Sequence, residues 1–155
     1  MQLTQKETSF LKDLKEQEQI CVTKYNQYAA DAHDGQLKGL FTNIGQIEQQ
    51  HLDTINQIMG GTVPQMQSGG GGQSQQPEQF TATYNVGTND PNKEKDAYLC
   101  TDLLSTEKHV SSVYNTAVFE FKDTNIRNAL NHIQKEEQQH GERLYNYMAQ
   151  NGMYN

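Results

Sequence analysis

The sequence predicts an all-α protein, a four-helix bundle made of two repeated helical hairpins joined by a long crossover. Three observations predict it. The chain matches itself at a shift of 89 residues. Apolar residues recur at three- and four-residue spacing in four long segments. A stretch rich in Gly, Gln and Ser separates the two copies.

The repeat aligns residues 13–59 with residues 102–148 without a gap. Asp13 falls on Asp102, Leu14 on Leu103, Glu18 on Glu107 and Tyr25-Asn26 on Tyr114-Asn115. Asp34 falls on Asp123, Ile44 on Ile133, Glu48-Gln49-Gln50-His51 on Glu137-Gln138-Gln139-His140, and Met59 on Met148.

The first helix is expected over about residues 5–33. Thr4 followed by Glu7 is a capping-box pattern, and Phe10, Leu11, Leu14, Cys21, Val22, Tyr25, Tyr28, Ala29 and Ala32 make its apolar stripe. His33-Asp34-Gly35 is a turn signal that also supplies the next N-cap. The second helix is expected over 35–60, with Leu37, Leu40, Phe41, Ile44, Ile55 and Ile58 inward and Gly60-Gly61 as its stop.

Asp90-Pro91 opens a third helix over 91–122, a cap followed by a proline suited to the first turn. Its stripe comprises Tyr98, Leu103, Leu104, Val110, Val113, Tyr114, Ala117, Val118 and Phe121. Asp123 caps a fourth helix over 124–150, with Ile126, Leu130, Ile133, Leu144, Tyr147 and Met148 inward and fraying at Asn151-Gly152. The segment 61–89, including QSGGGGQSQQ, is expected to be a mobile crossover. Helices of this length span about 40 Å at about 1.5 Å per residue, which roughly 29 extended residues can cover.

A chain of 155 residues suits one domain. Its hydrophobic content of 34% is low and fits thin amphipathic stripes. A net charge of −7 argues against nucleic acid and anionic membrane surfaces, which call for a basic face. No run of apolar residues is long enough to span a bilayer. The first residues lack the apolar core and cleavage site of a secretory signal. Two cysteines, Cys21 and Cys100, do not make a disulfide framework. Both are expected to be reduced and buried, in keeping with synthesis in a reducing cytoplasm.

The repeat also carries chemistry. Glu18 and Glu48 lie 16 residues before and 14 after the turn residue Asp34. At about 1.5 Å per residue, both sit at one level on neighbouring helices. Glu107, Asp123 and Glu137 repeat that spacing. Glu48 and His51, and again Glu137 and His140, share a helix face at i and i+3. Two such hairpins facing each other converge four carboxylates and two imidazoles. A lone Glu-x-x-His is a weak signal; its recurrence with Glu and Tyr at identical upstream distances is much stronger. Four buried carboxylates are prohibitive unless compensated. Two divalent cations would neutralise them, and oxygen ligands with two imidazoles suit iron or manganese, with zinc as a third candidate.

This set resembles the sites of ferritin-like di-iron and di-manganese bundles, which implies a ferritin-like four-helix bundle. The resemblance implies Glu48 and Glu137 as bridging ligands, Glu18 and Glu107 as terminal ligands, and His51 and His140 as one ligand to each metal. Tyr25 and Tyr114 lie two turns beyond Glu18 and Glu107. Each either hydrogen-bonds a ligand carboxylate or is a core tyrosine satisfied elsewhere. Cys21 either lines the site or is a small core residue. His33, His109, His132, Glu16, Glu120 and Glu136 are expected to be solvated. No phosphate loop, nucleophile elbow or Cys-x-x-Cys occurs in the sequence.

The second half, through DLLSTEKHVSSVYNTAVFE (102–120) and EEQQHGERLYNYMAQNGMYN (136–155), is similar to the spore coat protein F family of endospore-forming Firmicutes. That resemblance implies a ferritin-like fold, synthesis in the mother cell and deposition in the spore coat. It also implies other coat proteins as partners, with the Gln/Gly-rich linker and the tail 145–155 as contact surfaces. A homodimer through the outer helix faces is common for such bundles. All six candidate ligands are present here. In pattern the site also resembles those of rubrerythrin and manganese catalase, without the cysteine pairs of a rubredoxin module. Two functions follow as expectations: a coat component stabilised by a dinuclear metal centre, or a di-metal oxidoreductase acting on peroxide.

Overall fold

The computed structural model describes residues 2–65, 78–85, 87 and 89–154. It contains α1 (Gln5–Asp31), α2 (Gly35–Met59), α3 (Pro91–Val118) and α4 (Thr124–Gln150), with no strand among the described residues. The low-complexity centre of the expected crossover, 66–77, lies outside the described residues.

Local chemistry sets the helix ends. Thr4 and Glu7 form the expected capping box, with reciprocal bonds of 3.1 and 2.8 Å. Asp34, Asp90 and Asp123 cap α2, α3 and α4, each accepting from the N–H two residues on. Gly61, at φ +94°, turns the chain out of α2 while the N–H of Thr62 bonds back to the carbonyl of Gln57 at 2.9 Å.

The hairpins are α1 on α2 and α3 on α4, and across the bundle α1 faces α3 and α2 faces α4. Side chains reaching the turns define the topology. Asp96, near the start of α3, accepts from the N–H groups of His33 and Asp34 in the α1–α2 turn at 2.8 and 2.9 Å. Tyr147, near the end of α4, donates to Asp34 at 2.6 Å. At the other end Glu7 accepts from the N–H of Lys122, in the α3–α4 turn, at 3.2 Å. The two turns therefore lie at opposite ends, α1 and α3 run antiparallel, and the chain must travel the bundle's length between α2 and α3. Its returning part, residues 78–85, docks where α4 ends: Thr83 and Tyr84 donate their N–H groups to Asn151 at 2.9 and 3.1 Å.

Glu7 and Asp96 stand 89 residues apart, as do His33 and Lys122. The duplication thus extends to a pair of clamps, in which an acid in the first turns of one hairpin holds the turn of the other.

Two apolar clusters fill the bundle. One gathers Leu11, Leu14, Ile55, Ile58, Val110 and Ile133 among others, and the second gathers Leu37, Phe41, Ile44, Leu103, Leu144 and Tyr147. The level of Glu18, Glu48, Glu107 and Glu137 lies between them. α1 and α2 approach closely beside it, where a Cβ on Gly45 would lie 3.2 Å from that of Tyr25, tighter than an ordinary contact.

Three expectations are corrected. α1 and α3 stop at Asp31 and Val118, short of 33 and 122: the N–H of His33 is taken by Asp96, and that of Glu120 closes a tighter turn on Ala117 before Glu7 takes the N–H of Lys122. Tyr98 is 69% exposed, and Leu99 and Cys100 supply the buried face instead. The end of α4 does not fray: Asn151 is fully buried, and Gly152, at φ +64°, lets Met153 bond back to the carbonyl of Met148 at 2.9 Å. No described helix is long and apolar enough to cross a membrane.

Candidate metal centre

Each hairpin sends one glutamate from its first helix and a Glu-x-x-His from its second to the same level. All six side chains, Glu18, Glu48, His51, Glu107, Glu137 and His140, meet there and are at most 2% exposed. Their ligand atoms fall into two groups, each within a 4.8 Å span: Glu18, Glu48, His51 and Glu137, and Glu48, Glu107, Glu137 and His140. Glu48 and Glu137 belong to both groups, and each remaining carboxylate and imidazole belongs to one.

Both imidazoles face the carboxylates through Nδ1. In His51 that atom lies 2.9 Å from Glu137 and 3.3 Å from Glu48; in His140 it lies 2.8 Å from Glu48 and 3.4 Å from Glu107. The closest contact of each histidine is therefore with the glutamate of the other repeat. The two rings stack with centroids 5.8 Å apart.

Tyr25 and Tyr114 also cross between repeats. The Tyr25 hydroxyl donates to Glu107 at 2.6 Å, and the Tyr114 hydroxyl donates to Glu18 at 2.5 Å. Both rings are fully buried, so each phenol fills core space and also orients one carboxylate. Burial, with the adjacent carboxylates adding to it, pushes both phenols far up, so they act as neutral donors.

The electrostatics are those of a crowded anionic site. Burial first, then the neighbouring Glu48, pushes Glu18 well above the carboxylate range. Burial and Glu107 do the same to Glu137. Burial would also raise Glu48, but the imidazoles of His140 and His51 outweigh it and hold Glu48 well below that range. Burial opposes the charge on His51, yet Glu136 and Glu48 carry its value up to about 10, and His140 moves the same way through Glu107 and Glu48.

That balance has a pH signature. His51 titrates at about 10 in the fold against an ordinary 6.5. A raised value stabilises the fold below the unfolded value and is lost as pH climbs through the folded one. Chelator-stripped protein is expected to lose on the order of 10 °C of melting temperature between about pH 6.5 and 10. Circular dichroism melts across that window check this, and a flat profile would remove His51 as the titrating group.

Three buried carboxylate oxygens, Glu18 Oε2, Glu107 Oε2 and Glu137 Oε2, have no hydrogen-bond partner, and neither does His140 Nε2. Buried polar atoms are normally paired. Unpartnered oxygens converging from three helices, with imidazole Nδ1 atoms among them, suit divalent cations with a preference for oxygen and nitrogen ligands. The donor set therefore fits a pair of such ions.

One residue beside the cluster departs from expectation. Glu136 is not simply solvated: its side chain is 28% exposed and its Oε1 lies 3.1 Å from His51 Nε2 and 2.9 Å from His132 Nε2. The i,i+4 spacing of His132 and Glu136 was visible in the sequence, but the approach to His51 depends on how α4 lies against α2. His132 is 45% exposed at its side chain and pairs with Glu136. Glu120 is partly exposed and pairs with Lys6 at 2.7 Å. His33, His109 and Glu16 are exposed as expected. Cys21 is a buried free thiol in the core, pushed up by burial first and by Glu48 and Glu18 after it; Cys100 is likewise free and buried.

Fold and site together define a four-helix bundle with a central, duplicated carboxylate–imidazole cluster. Within it, residues 95–155 match the family model of the Coat F domain. That match spans most of α3, all of α4 and the C-terminal tail. Comparison with curated proteins and with solved structures returned no match.

Proposed function

We propose that this chain is a spore coat protein whose ferritin-like bundle holds a dinuclear centre of iron or manganese, with zinc as a third candidate. The Coat F domain supports the coat setting. The observation that carries the metal assignment is the pair of buried four-residue ligand groups sharing Glu48 and Glu137. In this assignment Glu48 and Glu137 bridge, Glu18 and Glu107 are terminal, and His51 and His140 each bind one ion through Nδ1. Two divalent cations offset the four carboxylates and contribute folding energy directly. Tyr25 and Tyr114 hold the terminal glutamates in place.

The match to the Coat F domain favours a coat component over peroxide turnover; a catalytic centre would keep an open position for a water or substrate. Protein made in metal-replete medium is expected to carry about two ions per chain by elemental analysis. Loading must displace protons from Glu18, Glu137 and the two imidazoles, so apparent affinity rises with pH and proton release accompanies binding. Absence of iron, manganese and zinc from that preparation would overturn the assignment. Oxygen release from hydrogen peroxide by the loaded protein would replace the structural role with an oxidoreductase. A ligand-dead variant still packaged into spores, with no peroxide turnover by the wild type, would support a coat component. Its partners would be other coat proteins or a second copy of itself.

A further inference from the structure

The two halves of the cluster are not equivalent, and one residue makes the difference. His51 Nε2 lies 3.1 Å from the Glu136 carboxylate, whereas His140 Nε2 is buried with no partner. The repeat explains the contrast. At the shift of 89 residues that superposes His51 on His140, Glu136 falls on Ile47. Both positions are half-buried, but an isoleucine offers no acceptor.

A histidine that binds a metal through Nδ1 must keep its proton on Nε2. A carboxylate accepting that proton's hydrogen bond fixes the tautomer, locks the ring angle and strengthens the donor nitrogen. Glu136 is placed to do all three for His51, and nothing among the described residues does so for His140. Glu136 is itself held by His132 at 2.9 Å, one turn earlier on α4.

We infer that Glu136 makes the His51 side the tighter, first-filled metal position and leaves the His140 side the weaker, exchangeable one. This rests on the two-metal assignment above. Glu136 is a positioning residue here, acting on the metal through His51. Loss of such a partner costs about 10–100-fold in metal affinity, so the two steps are expected to differ by about that factor.

The test is calorimetric titration of the full chain, stripped with chelator, using manganese(II) chloride. Wild type is expected to bind two ions in resolved steps. Anomalous diffraction from protein loaded with one equivalent should place the ion beside His51. Glu136→Ala should weaken the first step about 10–100-fold and merge the two. Ile47→Glu, which supplies the missing acceptor, should strengthen the second step and merge them from the other direction; it keeps the test open if Glu136→Ala fails to fold. Two equal steps in wild type, a first ion beside His140, or an unchanged first step in folded Glu136→Ala would overturn the inference while leaving the two-metal assignment intact. No binding by wild type would overturn that assignment itself.

Discussion

Replacing Glu48 and Glu137 together by alanine is expected to abolish binding of both ions and to lower the melting temperature of metal-replete protein by 10 °C or more, on the order of 4 kcal/mol. The size follows from linkage: a ligand present at about a thousand times its dissociation constant stabilises the fold by about 4 kcal/mol. These two side chains are shared by both ligand groups, so their loss removes two oxygen donors from each. The same pair of changes has a second, opposite effect. Without cations, four carboxylates that are at most 2% exposed press on one another, and burial pushes Glu18 and Glu137 upward as a result. Deleting Glu137 relieves part of that repulsion, while deleting Glu48 removes the carboxylate that the two imidazoles hold ionised. In chelator-treated samples, where the metal contribution is gone, the gap between variant and wild type should therefore shrink. Thermal melts with and without chelator, paired with elemental analysis, check both halves. An equal loss under the two conditions would mean that Glu48 and Glu137 matter for packing alone.

Asp96→Ala is expected to cost about 3–5 kcal/mol and 10 °C or more of melting temperature, without touching the carboxylate–imidazole cluster. Asp96 is fully buried and accepts three hydrogen bonds, from the N–H groups of His33 and Asp34 and from the Tyr84 hydroxyl at 2.6 Å. Alanine strands all three donors, each at about 1–3 kcal/mol and not fully additively. The equivalent acid at the other end, Glu7, holds one N–H of the opposite turn and one of its own cap. Glu7→Ala is accordingly expected to cost about 1–2 kcal/mol. Denaturant unfolding of the two variants gives the comparison. A loss below about 1 kcal/mol for Asp96→Ala would show that water satisfies the turn as well as the carboxylate does.

The two clamps show why part of the fold was legible and part was not. Thr4 and Glu7 announce the start of α1 through a local pattern, and the capping box forms. The second task of Glu7, holding Lys122 across the bundle, has no local signature. Glu-to-Asp divergence at the equivalent position 96 also hid it from the repeat alignment. The end of α3 moved too: apolar spacing continues through Phe121, but the N–H of Glu120 closes a tighter turn on Ala117 and that of Lys122 is held elsewhere. Tyr98 misled because a tyrosine fits an apolar stripe by composition, while Leu99 and Cys100 face the core.

The sequence by itself determined the architecture and which six side chains come together. Two copies of Glu, Glu-x-x-His at identical distances from a turn leave one level at which six side chains can meet, since helical rise and periodicity are the same in both hairpins. What only the tertiary structure decided is who touches whom at that level. Tyr25 serves Glu107 and Tyr114 serves Glu18, each histidine leans on the other repeat's glutamate, and Glu136 reaches His51 while Ile47 stands at the matching position. Spacing along a helix fixes height and face. Contacts between helices depend on how the hairpins pack across the pseudo-two-fold axis, which no local pattern records.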